Sequence, residues 1–209
     1  TTTQEWSDAV SVDLTLWETY TGPATITSTW WAKNDAEWLY LLARVPVTEL
    51  EAHGAHISYF WPYPCCPWEH SDDGWVDQDN DTFDGHGWDE TEWRNDTLAS
   101  PPGENNVEGA ASADGTYYWF EFRKALDSGD GRDWSWAPGE TVGTGQTGDL
   151  VLGVCGETFP TCFGAYVLLH LAPVSPYVHT LEILQDLAEY SPRLFGSGTA
   201  GDEAIGAVY

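Results

Sequence analysis

The chain has no methionine and only two lysines, Lys33 and Lys124, among its 209 residues. Its 7 basic side chains face 34 acidic ones, for a formal net charge of −27. A polyanion of this density repels itself in the compact state. Salt relieves the repulsion, because the Debye length falls to about 3 Å at 1 M. The shortage of cations therefore predicts a halophilic protein and excludes nucleic acid and anionic membranes as partners. No apolar run approaches the ~20 residues of a membrane span. The run 165–169, for example, stops at His170. Without an initiator methionine, the polar start Thr1-Thr2-Thr3 reads as a mature terminus left after removal of a leader. Catalytic signatures are also missing: no serine nucleophile elbow, no Walker loop and no HExxH occur. The glycine-rich 143–148 reads as a hairpin connection. Carboxylate pairs such as Glu90 and Glu92 suit glycoside hydrolysis in principle, but 34 acids make such pairs inevitable. An enzyme is not expected.

What is present can fold. Apolar residues make up 42% and aromatics 14%, including 13 tryptophans, enough for one all-β domain with a real core. Alternation of apolar and polar residues marks strands at 10–16 and 116–123, β-branched and aromatic residues mark 25–33, a more continuously apolar run marks 38–45 as a central strand, and further strands are expected at 55–61, 150–154 and 164–171. The expected fold is an antiparallel β-sandwich over 1–173. The stretch 66–115 lacks periodicity and reads as a long loop insertion, of the kind that is functional or metal-ordered. Leu181, Leu184, Leu187 and Ala188 share a face at helical spacing, so 180–190 predicts the one clear helix. With the Gly-rich 196–209 it forms a separate C-terminal segment. That apolar-ended tail reads either as a flexible end or as a strand for a neighbouring subunit.

Four cysteines stand at 65, 66, 155 and 162. Neighbours bridge poorly, and neither pair has zinc-knuckle spacing. The expectation is that Cys65 and Cys66 reach across to Cys155 and Cys162, closing loops of about 90 residues worth roughly 4 kcal/mol each. Disulfides place the protein outside the cytoplasm or at the cell surface, as do the glycosylation sequons at Asn80 and Asn95. Asp77, Asp79, Asp81 and Asp84 alternate as in calcium loops, although Thr82 and Trp88 break the EF-hand pattern. Calcium is the possible cofactor, and a solvated acidic surface is the alternative. A transition-metal set at Asp84, His86, Asp89 and Glu90 is weaker. Trp68, Trp75, Trp88 and Trp93 lie among carboxylates, the chemistry of sugar binding. The competing account is a loop that packs its own tryptophans as a small core.

Two segments resemble a β-sandwich superfamily. The opening EWSDA at 5–9 followed by WLYLLARV at 38–45, and DGTYYWFEFRKALDSGDGRDWSWAPGETVG at 114–143, resemble family-nine-like carbohydrate-binding modules and DOMON domains. The second segment is also similar to the haem-binding subunit of ethylbenzene dehydrogenase-like enzymes. This chain has Ala125-Leu126 where that superfamily commonly has proline-leucine. The haem branch implies methionine with lysine or histidine on the iron. Without methionine only Lys124, His170 and His179 remain, and haem is unlikely to be the cofactor on that ground.

The leading functional expectation is a non-catalytic extracellular protein that self-assembles as a filament or surface-layer subunit. Its partners would be further copies or other surface proteins. The first alternative is a module that binds a glycan or similar ligand. The second is a haem-binding electron-transfer subunit.

Overall fold

The computed structural model describes residues 5–18, 23–63, 73–88, 93–98, 102–131, 133–143, 149–156, 162–173 and 182–185. The architecture is all-β and antiparallel, with one short helix among the described residues. In chain order the strands are β1 (Val10–Glu18), β2 (Thr25–Asn34), β3 (Trp38–Pro46), β4 (Ala55–Tyr63), β5 (Asp73–Asp77), β6 (Thr82–Trp88) and β7 (Trp93–Asn95). They continue with β8 (Glu108–Ala113), β9 (Tyr117–Ala125), β10 (Thr141–Val142), β11 (Asp149–Gly156), β12 (Cys162–His170) and β13 (Glu182–Gln185). The helix α1 (Val47–His53) links β3 to β4 and ends on Gly54 at φ 62°. It is too short to show in the sequence pattern.

The expected stacked sheets are one continuous sheet, in the order β7-β6-β5-β4-β11-β12-β1-β2-β3-β9-β8. Two residue pairs, Trp17 with Gly164 and Glu18 with Phe163, join its halves. The sheet curls there so that β5 meets β8 and β9. Alternation then has a physical purpose: Leu14, Leu16, Ile26, Trp30, Leu41, Phe120 and Phe122 from one half bury against Leu150, Leu152, Val154, Phe163 and Leu169 from the other. Trp30 is fully buried, packs edge-on to Phe122 at 6.3 Å, and donates its indole N–H to Ser28 Oγ at 2.9 Å. Where the far edges cross, β8 carries Gly109. A Cβ there would lie 3.1 Å from the Cβ of Val76 on β5, so glycine permits the close approach.

Three expectations change. The supposed loop 66–115 contains β5, β6, β7 and β8, which extend the sheet. Short Asp/Gly-rich strands were unreadable because their apolar residues are few. The helix expected at 180–190 is replaced over 182–185 by β13, paired with residues 167–170 of β12. Beyond Gly164, β1 no longer pairs with β12. The exposed backbone edge then recruits a strand in spite of helical spacing. The remaining residues of that segment, including 196–209, lie outside the described residues.

The third change concerns sulfur. Cys155 and Cys162 are direct partners across β11 and β12 and are bonded to each other. Neither bridges to Cys65 or Cys66, which lie outside the described residues. The observed bridge closes a small loop, with a separation of 7, in place of the loops of about 90 residues that were expected. Reduction should cost about 2.5 kcal/mol in the chain-entropy model. Urea midpoints with and without reductant measure this, and a loss of 4 kcal/mol or more would contradict the short-loop account.

Candidate functional site

A cleft of about 450 Å³ opens between the β2–β3 turn and the chain after β9. Glu37, Trp38, Leu126, Asp127, Trp136 and Pro138 are among its walls. The turn is built locally. Asp35 Oδ1 accepts the N–H groups of Glu37 and Trp38 at 2.8 Å each, while Oδ2 accepts the Tyr40 hydroxyl at 2.8 Å. This side-chain-to-backbone bonding is what aspartate does well in turns. The opposite wall is tied to it by backbone bonds, Leu126 N–H to Glu37 O at 2.8 Å and Trp136 N–H to Leu126 O at 2.7 Å. The Arg123 guanidinium sits 4.4 Å from the Trp38 ring and pairs with Glu108 at 2.8 Å, which holds that indole in place.

Trp136 is only 4% exposed, and its indole N–H is buried without an acceptor. Buried donors normally have partners. Beside it, the carboxylates of Glu37 and Asp127 are exposed. Asp127 Oδ1 also accepts from Ser135 Oγ at 2.9 Å and Gly129 N–H at 3.1 Å. The walls offer indole surface and two carboxylate acceptors. Among the described residues they contain no serine, cysteine or histidine.

The loop that carries Asp127 and Trp136 is anchored from below by a buried charge cluster. Lys124 on β9 is 2% exposed, and its Nζ donates to Asp84 Oδ1 at 2.8 Å and Asp133 Oδ1 at 3.0 Å. Asp84, Asp96 and Asp133 bring carboxylate oxygens within 4.8 Å of one another. Asp84 Oδ2 accepts the Asn106 backbone N–H at 2.9 Å. Asp133 Oδ2 accepts from Asn106 Nδ2 and Ser128 Oγ, both at 2.5 Å. Burial pushes the Asp84 carboxyl above its usual range, against the pull of Lys124 and with help from the Asp133 charge. Burial acts the same way on Asp133, but the Lys124 ammonium and the bonds from Asn106 and Ser128 outweigh it and hold that group below its usual range.

The residues singled out in the sequence are scattered. Asp77 caps its own turn, its Oδ1 accepting the N–H groups of Asp79 and Asp81 at 2.9 Å each. Asp84 faces inward to Lys124 and is withdrawn from that set, because its position on β6 points its side chain to the buried face. Lys124 is likewise held by carboxylates, so it is not a free haem ligand. His170 Nδ1 lies 2.6 Å from Thr141 Oγ1, and His179 is outside the described residues. Trp75 stacks on Phe83 at 5.2 Å with rings 6° apart. It packs with Tyr59, Val151, Tyr166 and the Cys155–Cys162 bridge in a second small core. Trp88 and Trp93 are opposed by backbone register, and Trp68 lies outside the described residues. Asn80 is exposed at the β5–β6 turn, where its Oδ1 accepts the Ala111 N–H at 2.7 Å. Asn95 Oδ1 accepts from Thr97 Oγ1 at 2.6 Å.

Neither Trp38 nor Trp136 is among the tryptophans singled out in the sequence. The only local signal was the Trp-Ser-Trp-Ala-Pro-Gly run at 134–139.

No protein-family model and no curated protein matches the chain. Two solved structures are similar over most of its length. One is a protein of Bacteroides uniformis, assigned provisionally to carbohydrate binding, with 9% identity and a TM-score of 0.49, over 87% of this chain and 88% of that one. The other is a carbohydrate binding module of family 9 from Caldicellulosiruptor kristjanssonii, in complex with glucose, with 12% identity and a TM-score of 0.48, over 85% and 92%. The group that the sequence resembled is thus among the similar structures.

Proposed function

We propose that this chain is a non-catalytic binding domain, acting outside the cell in high salt, that takes a hydroxyl-rich ligand of the carbohydrate class in the Trp38–Trp136 cleft. The lining of the cleft carries the reading: the Trp38 indole stands beside the exposed carboxylates of Glu37 and Asp127. An indole face would cover a sugar ring, and the two carboxylates would accept its hydroxyls. The net charge of −27 disfavours anionic glycans and leaves neutral ones. The assembly reading depended on the tail 196–209, which lies outside the described residues, so ligand binding takes precedence over it.

Calorimetric titration of neutral mono- and oligosaccharides at high salt tests the proposal. Trp38→Ala removes the indole face that lines the cleft. It should weaken binding about 3- to 10-fold, the worth of one aromatic contact. Unchanged affinity in that variant, or no saccharide bound by the parent chain, would defeat the proposal.

A further inference from the structure

We propose that Lys124 and Asp84 form an intramolecular isopeptide bond, with Asp133 as the proton carrier. The inference stands apart from the cleft and does not depend on any ligand there.

The geometry holds the reacting groups together. Nζ of Lys124 lies 2.8 Å from Oδ1 of Asp84, and the two side chains are 2% and 0% exposed. They come from β9 and β6, 40 positions apart in sequence. Asp133, 1% exposed, touches the same Nζ at 3.0 Å. The Asn106 backbone N–H holds the other Asp84 oxygen at 2.9 Å. In water an ammonium and a carboxylate do not condense, because hydration keeps both charged. In a sealed site that hydration is lost, and the neutral amine and carboxylic acid become accessible. Permanent juxtaposition supplies the effective concentration that a bimolecular encounter lacks.

Each part of the step has a group in place. One proton passes from the Lys124 ammonium to Asp84 Oδ1, whose burial favours the neutral acid. The lone pair of the neutral amine then attacks Cγ of Asp84. The Asp133 carboxylate, which Lys124 and its hydrogen bonds hold towards the ionised form, takes a second proton from Nζ as the bond forms. Negative charge develops on Oδ2, where the Asn106 N–H already points, as in an oxyanion hole. The bond from Cγ to Oδ1 breaks, its electron pair leaves with the oxygen, and Asp133 returns the proton so that water departs. An ammonium and a carboxylate become one amide and one water. Asp133 ends unchanged, and no oxidant, reductant or co-reactant is consumed.

The link would join the two halves of the curled sheet near the edges that meet without strand pairing, since β6 and β9 belong to opposite halves. For a chain of charge −27, a covalent clasp there resists opening when salt is diluted.

Intact-mass spectrometry of the reduced, unfolded chain gives the answer. The expected mass is one water below that of the sequence, and a proteolytic digest should yield one branched peptide carrying residues 84 and 124. Asp133→Asn should restore the full sequence mass while circular dichroism still reports the sheet. A parent chain at full sequence mass, or a water loss located elsewhere, overturns the link. An Asp133→Asn chain that is still one water light overturns the role given to Asp133.

Discussion

Replacing Lys124 by methionine should lower stability by about 3–5 kcal/mol, the range for deleting one member of a buried charge set. Methionine preserves most of the side-chain volume, so lost packing contributes little. The effect comes from Asp84 and Asp133, both essentially unexposed and both in contact with the lost Nζ. Without that nitrogen, as amide or as ammonium, both carboxyls stay buried with Asp96 close by, and any that ionises is uncompensated. The loop that carries Asp127 and Trp136 would lose its anchor in the same event, so saccharide binding should fall with stability. Urea denaturation at high salt measures the first effect and calorimetry the second. Adding Asp84→Asn to the methionine variant removes one uncompensated charge and should recover part of the loss. A single variant within 1 kcal/mol of the parent would show that the cluster is not the closed electrostatic unit described here.

Gly153→Val should cost about 3 kcal/mol, the upper end for forcing volume into a packed site. Gly153 occupies the centre of a cross-strand row that runs Phe83, Trp75, Tyr59, Gly153, Gly164, Trp17. The Tyr59 ring lies across the two glycines and is 6% exposed. A Cβ at Gly153 would stand 2.6 Å from the Tyr59 ring and also against the backbone carbonyl of Phe163. Backbone cannot yield as a flexible side chain can, so the ring must leave or the β11–β12 pair must part. The readouts are a lower urea midpoint and a loss of near-ultraviolet dichroism from the displaced tyrosine. A variant as stable as the parent would mean that this face of the sheet is not packed.

The strands that were legible in the sequence are those with strong alternation. β1, β2, β3, β4, β9, β11 and β12 all coincide with segments in which apolar residues recur at every second position. That signal is local, because neighbouring side chains of an extended chain point to opposite faces. β5 and β6 escaped because Asp-Gly-Trp-Val-Asp and its partner carry too few apolar residues to show a period. The short helix at Val47–His53 escaped for want of length.

The candidate site was far less legible. The density of carboxylates around 77–84 was evident, but not that Asp84 turns inward while Asp77, Asp79 and Asp81 form a self-capped turn. Trp75 belongs to a packed cluster with the disulfide, whose other members come from β4, β11 and β12 and not from the expected loop. The two tryptophans of the cleft come from β3 and from a loop beyond β9, brought together by the pairing of Trp38 with Ala125.

Composition and periodicity by themselves determined an all-β antiparallel chain, strongly acidic and rich in tryptophan, because those properties belong to single residues or near neighbours. Only the tertiary structure decided that the sheet is continuous, that Cys155 finds Cys162, that a rare lysine is sealed among aspartates, and that Trp136 keeps an unanswered donor. Each of these depends on which distant segments meet. That is set by the curl of the sheet and the sealing of its core, and no local pattern encodes either.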